Sequence, residues 1–94
     1  MEVTVRLIGS LRAFSSKSKI TLKLGKAAKL REAIDKLIEE QPRLRRALID
    51  PELNDPRTNV ITLVNEKEIS VLNGLETTLK DGDTLILVPV VHGG

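Results

Sequence analysis

An α+β roll, one amphipathic helix packed on one mixed sheet of four to five strands, follows from three observations. Runs of alternating apolar and polar residues open the chain at 3–8 and 19–24, a single helical stripe follows at 29–40, and strand-like runs return at 60–64, near 68–69 and at 84–88. An initial hairpin followed by a crossover helix brings the later strands back into the same sheet.

The first run, Val3-Thr4-Val5-Arg6-Leu7-Ile8, alternates as a strand does and stops at Gly9-Ser10. The second puts Ile20, Leu22 and Leu24 on one face and ends at Gly25, so the two pair antiparallel around a loop containing Ser15-Ser16-Lys17. Leu30, Ala33, Ile34, Leu37 and Ile38 fall at i, i+3, i+4, i+7 and i+8, one apolar stripe of a helix. Its start is weakly capped, because neither Ala28 nor Lys29 carries a capping oxygen, and Gln41-Pro42 stops it. Leu44, Ala47, Leu48 and Ile49 suggest a shorter helical turn, and Asp50-Pro51 and Asp55-Pro56 bound a loop. Val60 to Val64 reads as a strand, Asn65-Glu66 as a turn into a brief strand at Glu68-Ile69, and Leu72-Asn73-Gly74-Leu75 as a turn. Lys80-Asp81-Gly82-Asp83 is a strong turn signal. The run from Thr84 to Val88 is apolar on both faces, as a buried central strand is, and Pro89 closes it. Residues 1–89 thus form one domain and residues 90–94 a flexible tail ending in Gly93-Gly94.

Composition narrows the function. A chain of 94 residues buries about 60–65% of its unfolded surface, enough for one modest core. Phe14 is the sole aromatic, so that core is aliphatic. There is no cysteine, which removes disulfides, thiolate metal sites and a thiol nucleophile. The N-terminus lacks the pattern of a signal peptide and no apolar run reaches the ~18 residues of a membrane helix, so a cytoplasmic protein is expected. Residues 1–49 carry 12 Lys/Arg against 5 Asp/Glu, whereas residues 50–94 carry 3 against 8. That asymmetry marks either a solvated basic face or a surface for a partner or nucleic acid. Arg43, Arg45 and Arg46 cluster near the helix end, but the aromatics of a base-stacking surface are missing, and RNA is the lesser reading.

Side chains offer little chemistry. His92 is the only histidine, with no second ligand for a metal site and no nucleophile beside it. Asp81 and Asp83 flank Gly82, where aspartates commonly bond their own backbone, so the pair reads as structural. No Gly-rich loop precedes a helix.

The C-terminus remains. At ordinary glycine usage of about 7%, two glycines end a chain roughly once in 200, so the pair alone is only suggestive. Its position adds weight, because it follows the last strand by a few residues and projects the carboxylate of Gly94 beyond the fold. Without Cβ atoms, Gly93 and Gly94 could thread a narrow channel in another enzyme. An ionised carboxylate there could attack the α-phosphate of ATP, and the acyl-adenylate would be open to sulfur or an amine. A second protein must supply ATP and Mg²⁺.

With these residues the chain resembles the ubiquitin-like β-grasp sulfur carriers and modifiers, including the small subunit of molybdopterin synthase, the ubiquitin-related modifier and the small archaeal modifier proteins. The similarity runs through Val3-Thr4-Val5-Arg6-Leu7, Leu11-Arg12-Ala13-Phe14, the stretch from Leu72 to Asp83, and Pro89-Val90-Val91-His92-Gly93-Gly94. It departs at Ala28-Lys29-Leu30, at Val91-His92 before the glycines, and in extra length at 43–58. The resemblance implies a β-grasp fold and a carrier that is itself no enzyme and binds no cofactor. It implies adenylation of Gly94 by an E1-like enzyme, then a thiocarboxylate passed to a sulfur-accepting enzyme, or an isopeptide bond to lysines of target proteins. Molybdenum cofactor synthesis, tRNA thiolation and protein conjugation all remain open. The alternative is a non-enzymatic RNA- or protein-binding module of the same fold.

One helix covers one face of the sheet. The final strand alternates Leu85 and Leu87 with Ile86 and Val88, so the uncovered face should expose aliphatic side chains beside the tail. Ile8, Ile86, Val88 and Val90 are the candidate docking residues, unless the segment 43–58 folds across them.

Overall fold

The computed structural model describes residues 1–56 and 59–90. Five strands, β1 (Glu2–Leu7), β2 (Lys19–Lys23), β3 (Val60–Val64), β4 (Lys67–Glu68) and β5 (Thr84–Pro89), form one sheet in the order β2-β1-β5-β3-β4. β1 runs parallel to β5 and antiparallel to β2, and β3 runs antiparallel to both β5 and β4. The mixed sheet is therefore the one expected, with β5 at its centre. Helix α1 (Leu30–Glu40) lies across one face and a short helix α2 (Leu44–Leu48) follows it.

The stripe of α1 is the core-facing one: Leu30, Ala33, Ile34, Leu37 and Ile38 are all buried. They meet Val3, Val5 and Leu7 of β1, Ile20 and Leu22 of β2, and Leu85 and Leu87 of β5 in one aliphatic cluster. Each large aliphatic side chain buried this way contributes about 1.5–3 kcal/mol. The weak start of α1 is repaired by tertiary contacts. The Leu30 N–H, an orphan of the first turn, donates to the Thr77 carbonyl at 2.8 Å, and the Leu79 N–H donates to the Ala28 carbonyl at 2.8 Å. Pro42 ends the helix, whose last carbonyls include that of Leu37, taken by the Gln41 N–H at 2.8 Å.

The stretch Leu11-Arg12-Ala13-Phe14, which follows the first strand, lies in a 3-10 turn spanning Gly9–Phe14. One local expectation shifts. The brief strand is Lys67–Glu68, one residue earlier than expected, and Ile69 already begins another 3-10 turn and is buried. The cause is a two-residue connection: Asn65 and Glu66 both adopt positive φ, 48° and 71°, which pins Leu63 opposite Glu68 and Val64 opposite Lys67. The extra segment packs on the helix side. Leu44 and Leu48 are buried, and Arg45, Ile49, Asn54 and Pro56 stand beside Arg31, Ile34, Asp35 and Ile38 of α1.

Candidate functional site

The end of β5 is built by its two neighbours. Toward β1, the parallel ladder runs from the Thr4 N–H on the Asp83 carbonyl (2.9 Å) to the Ile8 N–H on the Leu87 carbonyl (3.0 Å). Pro89 has no N–H with which to continue it. The Ile8 carbonyl instead accepts the Leu11 N–H at 3.3 Å, and the chain turns away through Gly9 at φ +59°. Toward β3, the ladder extends one bond beyond the strand, where the Val90 N–H donates to the Asn59 carbonyl at 3.0 Å. The last described residue is thus held on the β3 side at the rim of the sheet. Gly93 and Gly94, the expected reacting residues, lie outside the described residues with Val91 and His92.

Strand register shows which side chains share the face that α1 leaves uncovered. Ile86 stands beside Arg6 on β1 and Leu63 on β3, and Val88 stands opposite Ile61. Ile8 and Val90 continue the same alternation at the strand ends. Ile8 is 41% exposed and Ile61 is 43% exposed, while Ile86, Val88, Val90 and Leu63 are half-buried. All four candidates therefore lie on one face beside the departing chain end. Ile61 and Leu63 extend that patch and were absent from the sequence reading. The run from Val60 to Val64 has one polar residue, Thr62, and it points inward at 2% exposure, so the only available cue misleads.

The carboxylates of the Asp81/Asp83 turn hold structure. Asp81 Oδ1 accepts the Glu2 N–H at 2.7 Å. Asp83 Oδ2 accepts the Lys80 N–H at 2.8 Å, and its Oδ1 accepts Asn65 Nδ2 at 2.7 Å. Among the described residues, no group of His, Cys, Asp and Glu side chains is placed to hold a metal ion, and no helix is long and apolar enough to cross a membrane.

The model of the ThiS family matches residues 5–94, almost the whole chain and its final glycines included. The chain belongs to the ThiS family. It shares with this family's ubiquitin-like sulfur carriers and modifiers the β-grasp fold, and such proteins are small carriers rather than catalysts. This ThiS-family chain is similar to small archaeal modifier protein 1 from Methanosarcina acetivorans, with 28% identity and a TM-score of 0.84 over 99% of this chain and 96% of that one. It is similar to a chain of the BexX/CysO complex from Amycolatopsis orientalis, with 29% identity and a TM-score of 0.76 over 98% and 99% of the two chains. It is also similar to a chain in the complex of subunits 1 and 2 of molybdopterin-converting factor from Helicobacter pylori, with 26% identity and a TM-score of 0.65 over the full length of both. No curated protein matches it.

Proposed function

We propose that this protein is a cytoplasmic sulfur carrier whose reactive group is the C-terminal carboxylate of Gly94, with protein conjugation as a second outlet. The observation that carries the reading is the match to the ThiS family through Gly94, on a fold whose central strand is the last element in chain order. An E1-like enzyme holding ATP and Mg²⁺ activates the group. A carboxylate oxygen of Gly94 attacks the α-phosphate, pyrophosphate leaves, and an acyl-adenylate forms. A persulfide on the partner then attacks the carbonyl carbon and expels AMP, and a second thiol cleaves the S–S bond to leave a thiocarboxylate. Where a lysine amine attacks instead, AMP and a proton leave and an isopeptide bond remains. Gly93 supplies the steric access.

The uncovered sheet face is the docking surface for that enzyme. Exposed Ile8 and Ile61 and half-buried Ile86 and Val88 form an aliphatic patch next to Val90, and such patches rimmed by polar residues favour protein partners. Two of the similar structures are complexes with partner proteins, which supports the same habit here.

The test is intact-mass measurement after incubating the full chain with its E1-like enzyme, ATP, Mg²⁺ and a persulfide donor. Replacement of one oxygen by sulfur at Gly94 is the expected result. No mass shift and no conjugates with a competent enzyme would overturn the proposal.

A further inference from the structure

Charge on the uncovered face is arranged in a way that the fold itself does not explain. The register of β1 and β2 sets Glu2 opposite Lys23, Thr4 opposite Thr21, and Arg6 opposite Lys19. The first is a pair of opposite sign and the second is neutral. The third places two cations directly across from one another, an arrangement that costs stability in a sheet. Both are exposed, and neither enters an ion pair among the described residues, where the pairs are Arg31–Glu76 and Lys36–Glu40.

The row containing this pair crosses the whole sheet as Lys19, Arg6, Ile86, Leu63 and Glu68. Two cations thus lead directly into the aliphatic patch. The carboxylate at the far end is already engaged, since Glu68 Oε2 accepts the Ser70 N–H at 2.8 Å and the Ser70 hydroxyl. Glu66 lines a shallow depression of about 370 Å³ with Arg6, Thr84 and Ile86, without pairing with the arginine.

We infer that Arg6 and Lys19 together receive a carboxylate of the activating enzyme, an Asp or Glu side chain set beside an apolar surface that covers Ile86 and Leu63. The inference rests on the docking reading above and adds the chemistry of the partner. Repulsion between the two cations is present in the free carrier and relieved when an anion sits between them, so the pair favours the complex over the free state. The arginine fork offers two parallel donors to a carboxylate, and the lysine adds a mobile point charge. Charges at the rim of an apolar contact steer encounter and set its register. A second copy of this chain is the poorer occupant, because the one carboxylate in the row is held by its own Ser70.

The test uses the full chain and its purified E1-like activating enzyme, with binding followed by stopped-flow and stability by urea unfolding. Arg6→Gln and Lys19→Gln should each weaken binding while leaving the urea midpoint unchanged or higher, a pair of signs that a structural role does not produce. The double variant Arg6→Glu/Lys19→Glu should slow association by about tenfold or more at low salt, the deficit shrinking as added salt shortens the screening length. Wild-type affinity and salt dependence in the Gln variants would overturn the inference. So would weaker binding accompanied by lost stability, or a wild-type dimer that dissociates in the double variant. If Val88→Asp loses binding while the Gln variants do not, this inference alone fails. If none of these changes affects binding, the docking reading fails with it.

Discussion

Gly9 and Pro89 sit against each other where β1 and β5 part: a Cβ on Gly9 would lie 3.5 Å from Pro89 Cγ, with Gly9 at φ +59°. That distance is ordinary contact, so any cost of a side chain is conformational rather than steric. Gly9→Ala should destabilise the protein by about 1–2 kcal/mol, the cost of left-handed backbone for an L-residue. A urea midpoint equal to that of the wild type would refute this account of the turn.

Neighbouring residues of β5 should respond in opposite ways. Leu87→Ala empties a site at 1% exposure and should cost about 2–5 kcal/mol. Val88 faces the uncovered side and is half-buried, so Val88→Asp should cost much less and yet abolish enzyme binding. Calorimetric titration beside thermal unfolding separates the two. Loss of cooperative unfolding in Val88→Asp would place that residue in the core.

Asp83 ties the last turn to the hairpin between β3 and β4 through Lys80 and Asn65. Bonds to a charged group contribute about 1.5–3 kcal/mol, so Asp83→Ala should lower stability by about that amount. Activation of Gly94 should be unaffected at temperatures where the variant is folded. Intact stability with lost activation would make the carboxylate a participant in chemistry.

Gly93 and Gly94 have no side chains to bury, so deleting them removes no apolar surface from a core. Unfolding should stay within about 0.5 kcal/mol of the full chain. ATP–pyrophosphate exchange by the activating enzyme should disappear. Persistent exchange in the truncated chain would show that the reacting carboxylate is not that of Gly94.

Much of this architecture was legible in the residues. The stripe from Leu30 to Ile38 has a 3.6 period that only one helix face satisfies, and all five of its members are buried. The alternation in β1 and β2 and the Lys80-Asp81-Gly82-Asp83 turn were equally readable, because each depends on local chemistry. Other features were decided only by the tertiary structure. Period-two alternation carries no sign in a run as uniformly apolar as Val60 to Val64, and pairing with β5 turned Thr62 inward opposite Leu87 and left Ile61 exposed. The partner of the Ile8 carbonyl was likewise a tertiary matter, since Pro89 beside it in the sheet has no N–H and the carbonyl accepts only the Leu11 N–H of the following turn among the described backbone groups. The facing cations Arg6 and Lys19 exist as a pair only through the register of the opening hairpin, which no single strand encodes.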